Sequence, residues 1–153
     1  MRTRWHSPGV ERFARALGRA GNHGAIWVAI GAILAIIDSS QREAWLICAA
    51  LGPIAIGFNY AIKLLVRRPR PVLDGLPPLG GAPSSLSFPS AHATSSFAVA
   101  TAMTRVDGIG ALAFLLAAAL ALGRPYLGMH YPSDVLAGAV LGVILGLVVP
   151  LSV

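Results

Sequence analysis

Residues 44–66 read AWLICAALGPIAIGFNYAIKLLV, and the one formal charge in this run is Lys63, near its end. A helix of about 20 mostly apolar residues is what crosses the hydrocarbon core of a bilayer. The rest of the chain agrees with that solvent. Hydrophobic residues make up 56% of the 153 residues and charged residues 12%, where about 25% charged is ordinary for a soluble domain. So few polar residues cannot cover the surface of a soluble protein of this size. The pattern predicts an all-α fold, an integral-membrane helical bundle in the cell membrane with membrane lipids around it.

Toward the N-terminus lies a second uncharged run, Gly24–Ile37, which is short for a span and is expected to borrow Ala20–His23 or to sit tilted. Residues 9–20 place Val10, Phe13, Ala14 and Leu17 at helical spacing, with Arg12, Arg15 and Arg19 largely on the other side. This amphipathic arm, residues 1–22, is too polar to span and suits the membrane surface. Pro8, Glu11, Arg12 and Arg15 interrupt any signal-peptide core. Toward the C-terminus the expected order is a Pro- and Gly-rich loop over Arg67–Phe88, a small-residue helix over Ser90–Thr104 and a turn at Arg105–Gly108. A span over Ile109–Gly123, a polar loop over Arg124–Ser133 and a last span from Asp134 to Val153 complete it. The sum is about five transmembrane helices plus the arm, in one domain over residues 1–153, with no internal repeat. Gly138, Gly142 and Gly146 form a small-residue stripe for close helix packing and leave the oligomeric state open. Trp5, Trp27, Trp45, Tyr126 and Tyr131 suit interface anchoring, and Cys48 reads as a small buried hydrophobe.

The net charge of +6 rests on eleven arginines and one lysine. No aromatic-basic interleaving or nucleic-acid motif accompanies it, so nucleic acid is not an expected partner. In a membrane protein, arginine marks the cytoplasmic face or an anionic ligand site. Following the chain through five crossings puts Lys63, Arg70, Ser90, His92, Arg124, His130 and Asp134 on one side. That side holds ten of the twelve cations, and Arg42 and Arg105 lie on the other. Without Lys63, Arg70 and Arg124 the ratio is still seven to two. The positive-inside rule makes the rich side cytoplasmic.

Three clusters carry the chemistry: Lys63 with Arg70-Pro71, Pro89-Ser90-Ala91-His92, and Gly123-Arg124 followed by His130 and Asp134. Their order and spacings resemble the tripartite signature of the type 2 phosphatidic acid phosphatase superfamily. Two positions depart from it: Ala91 stands where Gly is usual and Gly123 where Ser is usual. Ala91 still lets backbone approach a phosphate, whereas Gly123 lacks a hydroxyl that the usual site has. The resemblance implies a lipid phosphate phosphatase with His130 as nucleophile and His92 as general acid and base. Asp134 would orient His130, and Lys63, Arg70, Ser90, Ala91 and Arg124 would hold the phosphate. That chemistry is sound on its own terms. Arginine forks and a lysine charge suit phosphoryl oxygens, and a helix start offers free amides to an anion. A carboxylate four residues from a histidine shares its helical face. The clusters contain one acid, so neither a metal nor another cofactor is expected.

The runs Leu86–Ser95 and Leu127–Gly138 resemble more narrowly an actinobacterial branch of the family. That branch acts on decaprenylphosphoryl-5-phosphoribose in the synthesis of arabinan precursors for the cell wall, which implies a polyprenyl-linked phosphate as substrate. Undecaprenyl pyrophosphate and phosphatidylglycerophosphate are the rival substrates. A catalytically silent membrane scaffold is the alternative of another class, against which the intact His92, His130 and Asp134 argue.

Overall fold

A computed structural model describes residues 7–72, 79, 86–108 and 110–151. The described residues form six α-helices and no strand. They are α1 (Pro8–Ala20), α2 (Ala25–Ile37), α3 (Arg42–Val66), α4 (Ala91–Val106), α5 (Gly110–Tyr126) and α6 (Pro132–Val148). Short 3-10 turns at Asn22–Gly24 and Ser39–Gln41 join the first three.

The small-residue helix α4 is the axis of the bundle, with α3, α5 and α6 packed around it. Ten of its residues, from Ala93 to Met103, are buried. The glycine stripe explains the tightest of these contacts. A Cβ on Gly138 would stand 2.6 Å from the Ser90 carbonyl oxygen, and on Gly142 or Gly146 it would stand 2.4 Å from the carbonyl oxygens of Thr94 or Ala98. The backbone of α6 thus lies directly on the backbone of α4, which only small residues allow. The stripe is spent within the chain.

Three polar contacts add direction to this apolar packing. Trp27 Nε1 donates to Ser96 Oγ at 3.0 Å, Asn59 Nδ2 donates to Thr94 Oγ1 at 2.8 Å, and Arg105 Nη1 donates to the Gly146 and Val149 carbonyls that end α6. The first corrects a sequence expectation. Trp27 and Trp45 are 1% and 2% exposed; Trp27 is a core residue whose N–H has its partner inside the bundle, whereas the Trp45 N–H reaches Asp38 at the turn between α2 and α3. Asn59 packs α3 on α4. Trp5 lies outside the described residues.

Helix ends differ from expectation in two places. The arm does not lengthen the first apolar run, because α1 and the segment that includes α2 meet at a bend of 53°. Gly24 takes φ +76° there, a conformation natural to glycine. At the other end, α5 runs on through Arg124 to Tyr126, so Arg124 sits on helix and not in a loop. The last helix begins at Pro132, two residues before Asp134.

Leu65, Leu115, Leu136 and Leu147 are among the many large apolar side chains on the outer faces of α2, α3, α5 and α6. A surface of this kind is stable in lipid and not in water. Among the described helices, Ser39–Val66 is long and apolar enough to cross a bilayer alone, while α5 and α6 are apolar but shorter.

The α4–α6 contact yields a test. Gly142→Ala is expected to cost about 1–3 kcal/mol through overpacking against backbone that cannot move aside, read as a lower unfolding temperature in detergent. Gly57→Ala, which meets nothing within 4 Å, should lose far less.

Candidate active site

The three clusters meet at one end of the bundle. Arg67 ends α3 with φ +52°, and this left-handed turn sends the next residues back across the helix ends. Ser87 pins the strap that follows: its N–H donates to the Arg68 carbonyl at 2.8 Å and its hydroxyl to the Pro69 carbonyl at 2.9 Å. Lys63 reaches up from the last turn of α3 and donates to the Leu86 carbonyl at 2.8 Å. The start of α4 is tied to α6, with the Ser90 N–H donating to the Asp134 carbonyl at 2.9 Å.

Asp134 is fully buried, and three groups surround its carboxylate. Oδ1 accepts from Arg68 Nη1 at 2.9 Å, and Oδ2 accepts from the Tyr131 N–H at 2.9 Å. His130 Nδ1 lies 3.5 Å from Oδ2, longer than a good hydrogen bond, and has no other partner. The opposite ring nitrogen, His130 Nε2, is 3.3 Å from Arg70 Nη1, which also donates to the Met129 carbonyl at 2.6 Å. Arg124, Lys63 and His92 act on His130 electrostatically from the remaining sides. Burial first, and then these cations, hold the His130 pKa far below that of an ordinary imidazole, so its ring is neutral and its lone pair available. Burial likewise lowers the pKa of the Arg70 guanidinium, with Asp134 opposing the shift.

Several donors here have no partner. Ser90 Oγ and Arg124 Nε are buried without a hydrogen bond, and the N-terminus of α4 has no side-chain cap. Its first-turn amides have no intrahelical acceptor. Unpaired buried donors are costly, and donors gathered around one point describe the shape of an anion.

All eight residues predicted from sequence, Lys63, Arg70, Ser90, Ala91, His92, Arg124, His130 and Asp134, belong to this one region. Two further parts escaped the sequence reading. Arg68, not among the predicted site residues, turns inward. It bonds to Asp134 and to Ser133 Oγ at 2.8 Å, and its guanidinium lies over the Tyr131 ring at 4.0 Å. The lone acid among so many cations was the available signal. The second part is α1. Its Ala14 and Gly18 are buried, while Val10 and Phe13 are exposed, so it docks by its small residues and not by the whole apolar stripe. The Gly18 carbonyl oxygen is 3.0 Å from His92 Nε2. A Cβ on Gly18 would be 2.9 Å from Arg124 Nη1, and one on Gly21 would be 3.0 Å from the His92 ring. The arm is thus a roof over two of the predicted residues. His6 lies outside the described residues, and His23 is exposed.

Residues 43–153, which hold all eight predicted residues, match the PAP2 superfamily. The chain belongs to the PAP2 superfamily. It is 44% identical over 131 residues to decaprenylphosphoryl-5-phosphoribose phosphatase of Mycolicibacterium smegmatis, covering 86% of this chain and 72% of that protein. It is 41% identical over 142 residues to the enzyme of that name from Mycobacterium tuberculosis, covering 93% and 80%. Among solved structures, Aquifex aeolicus LpxE superposes with a TM-score of 0.77 at 25% identity, over 94% of this chain and 87% of that one. The protein is therefore a PAP2-type membrane phosphatase.

Two outcomes follow from the PAP2 site as built. Arg68→Gln removes the cation from a fully buried carboxylate, and kcat for phosphate release is expected to fall about ten- to a hundredfold, about 1.4–2.7 kcal/mol of barrier. Arg68→Lys should recover part of it. The His130 ring is expected to stay neutral when the pH is lowered to about 5, below the usual imidazole range, as followed by nitrogen-15 NMR of labelled histidine. The unfolded ring takes up a proton there and the folded one does not, so this residue's contribution to stability falls as the pH drops through about 6.5.

Proposed function

We propose that this chain hydrolyses the phosphomonoester of a polyprenyl-linked lipid of the decaprenylphosphoryl-5-phosphoribose type, through a phosphohistidine on His130. The observation that carries the reading is the convergence of unpartnered buried donors, Ser90 Oγ and Arg124 Nε, with the neutral imidazole of His130 at the uncapped start of α4. The choice of lipid is supported by the identity to the two mycobacterial phosphatases.

In the first step His130 Nε2 attacks phosphorus, a P–N bond forms, and the ester P–O bond breaks. The leaving oxygen takes its proton from His92. Asp134 accepts the Nδ1 proton of His130 in a hydrogen bond and stabilises the charge that develops on the ring. Arg70, Arg124, Lys63, Ser90 and the amides from Ala91 onward hold the three equatorial oxygens as negative charge spreads over them. In the second step water gives a proton to His92 and attacks phosphorus. The P–N bond breaks, inorganic phosphate leaves and His130 is restored. Substrate must displace His92 Nε2 from the Gly18 carbonyl for this exchange.

We read the whole chain, arm included, as one domain that crosses the membrane several times with its site on the cytoplasmic side. The arginine count supports this, and so does the use of the two cations assigned to the other end. Arg105 caps α6, and Arg42 Nε donates to the Ala35 carbonyl at 3.3 Å near the end of α2. Both are taken up as helix caps, while Arg12, Arg15 and Arg19 stay exposed on the site side.

Purified protein given a panel of lipid phosphates is expected to release phosphate fastest from the polyprenyl phosphoribose monoester. Faster release from undecaprenyl pyrophosphate or phosphatidylglycerophosphate would reassign the substrate. His130→Ala should abolish turnover and the acid-labile phosphoenzyme seen after rapid quench, and full activity in that variant would refute the nucleophile. A single cysteine placed at Ser84 should resist membrane-impermeant label in intact cells; labelling from outside would reverse the orientation.

A further inference from the structure

The start of α4 is tied to α3 by two side chains that the proposed phosphoryl transfer does not use. Asn59 of α3 donates from Nδ2 to Thr94 Oγ1 at 2.8 Å. Thr94 Oγ1 lies 3.1 Å from the Ser90 carbonyl oxygen, which also accepts the Thr94 N–H at 2.9 Å. Asn59, Thr94 and Ser90 are each 0% exposed. A hydroxyl has one proton to give and a carbonyl has none. Thr94 therefore gives its proton to Ser90, and the Asn59 amide has to present its nitrogen to Thr94. The hydrogen bonds run one way, from α3 into the first turn of α4.

The Ser90 carbonyl belongs to the same peptide unit as the Ala91 N–H. That unit is planar and trans, so its two polar groups point in opposite directions. The carbonyl points down α4 toward Thr94, and the N–H points out of the helix start. As the first amide of α4, the Ala91 N–H has no acceptor within the helix. Each hydrogen bond that the carbonyl accepts draws electron density from the N–H across the conjugated amide, and bonds in such a chain strengthen one another where water is excluded. Gly138 of α6 closes on the same oxygen, since a Cβ there would stand 2.6 Å away. The peptide is thus held from α3, from within α4 and from α6, with little room to tilt.

We propose that Asn59 and Thr94 are positioning residues, a hydrogen-bond relay that aims and polarises the Ala91 N–H toward the oxygens of a bound phosphate. Neither side chain touches the phosphate, and both act through the Ser90–Ala91 peptide. The relay rests on the phosphatase reading above and adds to it two residues beneath the site. An amide aimed where charge gathers in the transition state acts on kcat more than on KM.

Ser90-Ala91 is the one Ser-Ala pair in the chain, so carbonyl carbon-13 serine with nitrogen-15 alanine singles out this peptide bond by NMR. The test uses the full-length protein in phosphatidylcholine nanodiscs, with inorganic phosphate as the probe. Phosphate is expected to move the Ala91 amide proton downfield in the parent protein. Thr94→Val and Asn59→Leu should each remove about half of that shift or more, and Thr94→Ser should keep it. The two single variants read the same amide independently, so poor folding of one leaves the other. For release from the lipid of the panel turned over fastest, Thr94→Val is expected to lower kcat about three- to tenfold and to change KM less than about twofold. Thr94→Val also strands the Asn59 donor and should lower the unfolding temperature. Combining Asn59→Leu with Thr94→Val removes both partners and should recover stability, while kcat stays at the Thr94→Val level. Recovery of kcat together with stability, or an undiminished amide shift in the single variants, would overturn the relay. An Ala91 amide unmoved by phosphate, in a protein that releases phosphate from a lipid, sinks the relay and leaves the phosphatase reading standing. A shift that depends on Thr94, with no release from any lipid in the panel, sinks the phosphatase reading and supports the relay as part of an anion site.

Discussion

Backbone-to-backbone contact between α4 and α6 is the constraint on which the rest depends. Gly138, Gly142 and Gly146 bring the two helices so close that carbonyls of α4 occupy the space a side chain on α6 would need. The contact leads up to the hydrogen bond from the Ser90 N–H to the Asp134 carbonyl. The proposed phosphate-binding helix start and the histidine–carboxylate pair are therefore set by helix packing and not by loops. Sites on rigid elements hold their geometry better than sites on loops. The loops add what packing cannot, bringing Lys63, Arg68 and Arg70 over the helix ends.

The second organising force is charge. Lys63, Arg68, Arg70 and Arg124 surround one carboxylate, with which Arg68 forms a salt bridge. A concentration of positive charge in a poorly solvated place is unfavourable until an anion arrives, and its strain is shared among carbonyl acceptors at Leu86, Ser87 and Met129. On the proposed function these are weak partners that a dianionic phosphate would displace. The geometry at rest is thus held by contacts suited to being exchanged. The His92–Gly18 contact belongs to the same set.

Much of this was legible in the sequence because it depends on periodicity and spacing. The 44–66 run, the glycine stripe and the three clusters each follow from local rules. What stayed hidden depends on which face a helix turns toward its neighbours. Trp27 looks like an interface anchor by type, but only packing shows that its N–H has a partner inside. Arg68 and Arg67 are adjacent and chemically identical, and the left-handed turn at Arg67 sends one outward and one inward. The role of α1 was hidden by its own amphipathicity. The apolar stripe suggested a membrane-facing helix, whereas the docking edge is Ala14 and Gly18, residues whose small size gives no hydropathy signal. Helix ends moved for a related reason: the charge of Arg124 ends the apolar run and Pro125 is a helix breaker, yet α5 includes both.

The burial of α4 has a consequence for how the protein is assembled. This helix is rich in Ser, Thr and Ala and carries His92 and Arg105, because its surroundings in the finished bundle are other helices. Lipid is a much poorer environment for those hydroxyls. On the proposed multi-crossing topology, α4 would not partition into the bilayer stably by itself and would have to enter together with the apolar helices that enclose it. Its composition is then a commitment to partners: the segment that carries the proposed phosphate-binding start is the one least able to exist in the membrane before the bundle has formed.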